Sequence, residues 1–185
     1  MIGNDIVDLK QASKDSNWKR PRFLDKVFTR QEQLIISSSE DDNLSVWLMW
    51  SMKEAAYKAY VREFEHGFFN PKRIQCQLIL KDKGVVRIDT NLYYLKIEIT
   101  SEYVHSVASS KRDYVPENDA FKLYSNNQSK EVRTRLISHK YDKDIYSIKI
   151  IKTALGVPNL FNNRTLAFKA ISLSHHGNYG AYAIC

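Results

Sequence analysis

The stretch LSVWLMWSMKEAAYKA, residues 44–59, decides how the chain is read. Leu44, Trp47, Leu48, Met52, Ala55 and Ala59 recur at i, i+3, i+4, i+8, i+11 and i+15, one apolar stripe of an α-helix. Trp50, Glu54 and Lys58 stand four residues apart on an adjacent face, with Lys53 beside them. By spacing alone, Glu54 and Lys58 form a surface pair worth about 0.3–0.5 kcal/mol. The alternative is that they are half of a site for a metal and a phosphate, and the helix by itself does not choose.

Upstream, IGNDIVDL (2–9) is short and rich in β-branched residues, and it predicts a strand interrupted by Asp5. An ionised carboxylate in so apolar a run loses hydration. Asp5 is therefore either a turn or cap acid at the strand end, or a group neutralised by something positive. RPRFLDKVFTRQEQ (20–33) turns helical after Pro21, and Thr29 with Glu32 fits a capping box. SSSEDDN (37–43) predicts a loop leading into the long helix, which ends near His66-Gly67 and is stopped by Pro71.

Downstream the pattern turns to strands: IQCQLIL, GVVRIDT, YYLKIEIT and YVHSVAS, between about 75 and 110. SKRDYVPENDAF (110–121) is polar, carries a proline and predicts a connection. SKEVRTRLISHKY (129–141) predicts a helix with Val132, Leu136 and Ile137 on one face. IYSIKII (145–151) predicts a strand, ALGVPNL (154–160) a turn, and AISLSHHGNYGAYAI (170–184) a strand, turn and strand. No strict repeat is visible, yet each half offers a helix and strands. The fold class is α+β in two similar lobes, each a small antiparallel sheet packed with helices. The first lobe covers residues 1–110, a connection 111–128, and the second lobe 129–185.

Composition narrows the function classes. Hydrophobic residues make up 43% of the 185, enough for an interior. The 28 Lys+Arg against 21 Asp+Glu give +7, a balance suited to an acidic partner or to a merely soluble basic surface. Cys76 and Cys185 have no metal or redox spacing, and no apolar run approaches membrane-spanning length. The N-terminus carries acids where a secretion signal needs an apolar run. These features predict a cytoplasmic protein that does not enter a membrane. The basic stretch from Lys130 to Lys152 is interleaved with acids and lacks aromatic stacking residues, so nucleic acid is not an expected partner. Zinc spacings, a P-loop and a dinucleotide fingerprint are absent from the sequence.

The tail holds the second group of polar residues. Ser172 and Ser174 share a strand face, and His175 and His176 lie in the turn with Gly177. Adjacent histidines are a poor metal pair. No G-x-S-x-G elbow surrounds Ser174, which removes the usual hydrolase reading. Ser174 and His175 suit hydrogen bonding to a phosphate or nucleotide, or a plain polar hairpin turn.

Three motifs together resemble the 4′-phosphopantetheinyl transferase superfamily, which includes the holo-acyl-carrier-protein synthases. They are the Gly-x-Asp strand GNDIVDL, the W-x-x-K-E-A-x-x-K-A helix WSMKEAAYKA, and the Ser-x-Ser-His strand SLSHHG. The segment RFLDKVFTRQEQ is also similar. The resemblance implies transfer of phosphopantetheine from coenzyme A to a serine of an acidic acyl or peptidyl carrier protein, with Mg2+. It implies Asp5 and Glu54 as metal ligands, Lys58 at the phosphate under attack, Lys53 helping to hold the coenzyme, and Ser174 and His175 at the nucleotide end. It further implies a pseudo-two-fold fold. A non-catalytic coenzyme A or carrier-protein binding module of the same fold is the alternative.

The sequence departs from the family pattern in two places. Val7 stands where many two-lobe members have a further acid, and alternation puts Asp8 on the opposite strand face from Asp5. Val157, in the GVP turn, replaces a basic residue, so Lys152, Arg164 or Lys169 would have to compensate. Residues 1–110 resemble the second lobe of the two-lobe enzymes and 129–185 the first. The expected arrangement is a permuted lobe order with the site inside one chain, a monomer rather than a trimer.

Overall fold

The computed structural model describes residues 1–141, 147–163, 165–168 and 170–185. The chain opens with strand β1 (Ile2–Asp8), followed by helices α1 (Leu9–Asp15), α2 (Phe23–Val27), α3 (Arg30–Ser38) and the long α4 (Asp42–Phe64). Four strands come next: β2 (Ile74–Leu80), β3 (Lys83–Ile88), β4 (Asn91–Ile99) and β5 (Tyr103–Ser109). The second half holds β6 (Glu117–Lys122), α5 (Gln128–Lys140), β7 (Ile148–Lys152), β8 (Pro158–Asn162), β9 (Thr165–Leu166), β10 (Ile171–His176) and β11 (Tyr179–Ile184). The fold is α+β, with antiparallel sheets packed by helices, as the pattern of elements predicts.

The first five strands form one antiparallel sheet in the order β1-β5-β4-β3-β2. A second sheet has the order β10-β11-β6, and a third, small one β7-β8-β9. Residues 117–122 are thus a strand of the second sheet, although their polar, proline-led sequence predicts a connection. Edge placement explains the difference, because one face and one edge of β6 stay in water and need no apolar residues. Of the strand expected over 145–151, residues 145 and 146 lie outside the described residues, and β7 begins at Ile148.

Helix α4 crosses one face of the large sheet. Met52, Ala55, Ala56 and Ala59 pack on Val86, Ile88, Leu95, Ile97, Val104 and Ala108. The expected single stripe is too narrow, since Val46 and Met49, which lie outside it, are also buried and cluster with Trp47, Phe23, Val27, Phe28 and Ile36. α2 and α3 form that second cover, and α3 starts at the expected Thr29–Glu32 capping box. In the second half, Leu136 of α5 packs with Ile148, Leu160, Ile171 and Tyr182.

Strand β1 is enclosed on both faces. Gly3, Asp5 and Val7 look toward α4, and a methyl group on Gly3 would run into the Ala55 carbonyl. Ile2, Asn4 and Ile6 look the other way, onto β10 and β11: Ile2 meets Ala170 and Ala183, and Ile6 meets Tyr179 and Ala181. Such a strand reads as a nearly continuous apolar run, which is how IGNDIVDL looks.

The strand registers reveal a repeat that the bare sequence hides. β1 pairs Asp5 with Ser106 and Asp8 with Tyr103, while β6 pairs Asp119 with Tyr182 and Lys122 with Tyr179. Superposing the two hairpin tyrosines, whose rings meet at 4.9 Å, sets NDIVDL (4–9) on NDAFKL (118–123). The helices follow, with MKEAAYKA (52–59) matching SKEVRTRL (129–136). Even the ion pair recurs: Asp5 with Lys58 at 2.9 Å, and Asp119 with Arg135 at 3.7 Å.

Candidate active site

The close approach allowed by Gly3 brings the functional face of α4 to Asp5. Ser51 Oγ donates to the Asp5 carbonyl at 3.2 Å. Two turns on, Lys58 Nζ lies 2.9 Å from Asp5 Oδ1 and donates to the Asn4 carbonyl at 3.0 Å. Lys58 therefore bridges helix to strand instead of pairing along the helix with Glu54. The Asp5 side chain is 13% exposed, and burial raises its carboxyl above the ordinary range despite Lys58. Glu54 is pushed up to about 7, first by burial and then by the Asp5 charge, against the pull of Lys58.

Two desolvated carboxyls thus share one lysine, an arrangement short of positive charge. A hard divalent cation fits this donor set, since Mg2+ takes one or two carboxylates and fills its remaining positions with water and substrate phosphates. Among the described residues no group of three or more His, Cys, Asp or Glu side chains stands together to hold a metal.

The third segment arrives from the β10–β11 hairpin. His175 and His176 join Asp5, Glu54 and Trp50 around a cleft of about 290 Å3. Trp50 packs beside Glu54 at this cleft, as its position one turn earlier predicts. Burial, Lys58 and Lys152 together lower the basicity of His175. His176 is held in place: its Nδ1 accepts from the Asp8 amide at 3.0 Å, and its Nε2 is 3.4 Å from Asp15. A hollow of about 210 Å3 lies nearby, lined by Lys58, Arg62, Lys152, Val157 and Ser172. Carboxylates, a lysine and a serine–histidine turn from segments far apart in the chain are thereby gathered within one region.

Comparison with known proteins gives the family. Residues 1–116, more than half of the chain, match the model of the 4′-phosphopantetheinyl transferase superfamily. The chain belongs to this superfamily. No curated protein matches it. Among solved structures it is similar to the holo-[acyl-carrier-protein] synthase (AcpS) of Thermotoga maritima, with 11% identity over 85% of this chain and 83% of that one, at a TM-score of 0.44.

In this chain the expected site residues do not all converge. Asp5, Glu54, Lys58 and His175 do. Lys53, expected near the coenzyme, is 2% exposed, and both Glu32 oxygens lie 2.9 Å from its Nζ. The Pro71 carbonyl at 3.1 Å and the Ile74 carbonyl complete its surroundings. Its three N–H groups are spent on protein acceptors, so it braces α3, α4 and β2 against one another. Ser174 is buried, and its Oγ accepts from Asn4 Nδ2 at 2.9 Å. Asp8 faces away from Asp5, as alternation predicts, and accepts from the Gln11 and Asn178 amides at 2.9 Å each. Of the three possible substitutes for a basic residue at Val157, Lys152 borders the hollow, while Arg164 and Lys169 lie outside the described residues.

Sequence reasoning passed over three residues that shape the site. Asn4 is wholly buried beside Asp5. Arg62 donates to Asn159 Oδ1 at 3.0 Å and to the Ile171 carbonyl at 2.7 Å, tying α4 to the second lobe. Glu32 neutralises Lys53. A polar residue in the apolar run of β1 was the available signal for Asn4. Glu32 showed only its capping pattern, and Arg62 showed nothing.

Proposed function

We propose that this protein transfers 4′-phosphopantetheine from coenzyme A to a serine hydroxyl of an acidic acyl or peptidyl carrier protein, with Mg2+. The observation that carries this reading is the meeting of Asp5, Glu54 and His175 at one cleft, beside a hollow lined by Lys58 and Lys152. Asp5 and Glu54 are the residues to hold the ion, which when bound neutralises charge on the coenzyme diphosphate. Lys58 is placed to clasp a phosphoryl oxygen. Lys152 borders the same hollow as Val157 and supplies the positive charge that the GVP turn lacks, for the nucleotide end of the coenzyme.

In the transfer, the carrier serine oxygen bonds to the phosphorus bearing pantetheine. The bond from that phosphorus to the oxygen shared with the nucleotide breaks, and adenosine 3′,5′-bisphosphate leaves. The serine proton passes to a base at the cleft, for which Glu54 is the candidate carboxylate. Catalysis of this kind is mostly positioning and charge neutralisation, which suits a site built from fixed carboxylates and lysines. The net charge of +7 favours an acidic carrier.

The test is incubation with an apo carrier protein, coenzyme A and Mg2+, followed by intact-mass measurement of the carrier. The expected result is a gain of one phosphopantetheine, abolished by chelation and reduced at least ~100-fold by Asp5→Asn or Glu54→Gln. A folded protein that binds coenzyme A yet never modifies a carrier would favour the binding-module alternative. Full activity of either variant would overturn the assigned ligands.

A further inference from the structure

All three motifs meet at Asn4. Its backbone amide donates to Ser172 Oγ at 2.9 Å, and its side-chain Nδ2 donates to Ser174 Oγ at 2.9 Å. The same Nδ2 lies 3.3 Å from His105 Nε2, and the Asn4 backbone carbonyl accepts from Lys58 Nζ. The next residue is Asp5. One strand position therefore touches the Ser-x-Ser-His strand and the lysine of the long helix, and it immediately precedes Asp5.

Stability alone does not account for this side chain. Asn4 is 0% exposed between Ile2 and Ile6, and among the described residues its Oδ1 has no hydrogen-bond partner. A buried polar atom left unpaired is costly, and an apolar side chain of similar size carries no such cost. What Asn4 offers and an apolar residue does not is direction: its amide fixes Ser174 relative to β1, with His105 behind it.

The repeat within the chain supplies an internal comparison. The counterpart of Asn4 is Asn118, which is exposed and whose Nδ2 donates to the nearby Pro116 carbonyl. The hairpin registers place Glu98 at the position equivalent to Ser174, and its carboxylate accepts from the Tyr103 hydroxyl at 2.7 Å. Glu131, the counterpart of Glu54, is occupied by the Tyr124 and Ser125 amides. The second constellation keeps an Asn, an Asp, a Glu and a cation, but among the described residues no clasp joins its Asn to a serine.

We propose that Asn4, backed by His105, is a positioning residue whose side chain locks Ser174 to the Asp5 strand, and so makes one of the two related constellations the working coenzyme site. The inference rests on the transferase reading above. It assigns Asn4 no contact with substrate.

The experiment is a calorimetric titration of the full chain with coenzyme A in Mg2+, joined to transfer kinetics in which coenzyme and carrier are varied separately. Asn4→Leu is expected to weaken coenzyme A binding about tenfold and to raise its KM in parallel, with the carrier KM within about twofold. Asn118→Leu is expected to change neither. A merely structural Asn4 would lower stability without separating the two KM values. Unchanged coenzyme affinity in folded Asn4→Leu, or an equal loss in Asn118→Leu, overturns the proposal. Should Asn4→Leu fail to fold, His105→Ala decides, with about threefold weaker binding expected and none lost if the clasp is wrong. A wild-type chain that does not bind coenzyme A sinks the transferase reading itself, and the clasp with it.

Discussion

At the scale of single residues, the buried His105 is the clearest reporter of the interior. Burial, with the Lys58 charge, holds its imidazole down at about 4 against an ordinary 6.5. The unfolded chain takes up a proton below 6.5 that the folded chain refuses until about 4, so this residue's stabilisation is intact above 6.5 and is lost as the pH falls. Glu54, raised to about 7, acts in the opposite direction over much of that range, so the contribution emerges only by difference. Relative to wild type, His105→Gln should gain about 2–3 kcal/mol between pH 7 and pH 4.5 in urea unfolding. A constant difference across that range refutes the assignment. A second reporter is Glu32, which is 1% exposed, neutralises Lys53 and accepts from the Thr29 and Cys76 amides. Glu32→Ala strands a buried ammonium, and chemical denaturation should register a loss of about 3–5 kcal/mol. The motifs in the sequence drew attention to Asp5, Glu54, Lys58 and His175, which the structure brings into one region. Lys53 was misplaced because its partner Glu32 comes from another helix, which no local spacing reveals.

At the scale of elements, the packing of α4 on β1 sets the geometry of the candidate site. The absence of a side chain at Gly3 lets the helix approach until Lys58 reaches Asp5. Gly3→Ala forces them apart, and we expect a loss of about 1–3 kcal/mol together with a clear fall in transfer rate. Measuring both on one preparation checks the coupling, and a destabilised but fully active variant would break it. Periodicity revealed α4, α5 and strands β2 to β5, because each alternates or spirals one apolar face toward a core. It failed for β6, whose exposed edge needs no such pattern. It also understated α4, since a helix covered on several sides is apolar all round and only part of that shows as a stripe.

At the scale of the whole molecule, the repeat of NDIVDL with its helix gives physical content to the two lobes. We propose that the lobe order is permuted relative to other two-lobe members and that the site is assembled within one chain. The expected native mass is that of a single 21.6 kDa chain, with specific activity independent of dilution. An obligate trimer that loses activity on dilution would contradict it. The two-lobe character was legible in the alternation of helix and strands, whereas the repeat itself needed strand registers to be seen. The enclosure of β1 also bears on how the chain reaches this state. The Asn4–Ser174 contact spans 170 residues of sequence, so the second face of β1 stays wet until almost the whole chain has been drawn in. Long-range pairing of this kind makes folding slow. On a ribosome, β1 is made well before the strands that seal it, and its second face stays exposed in the interval.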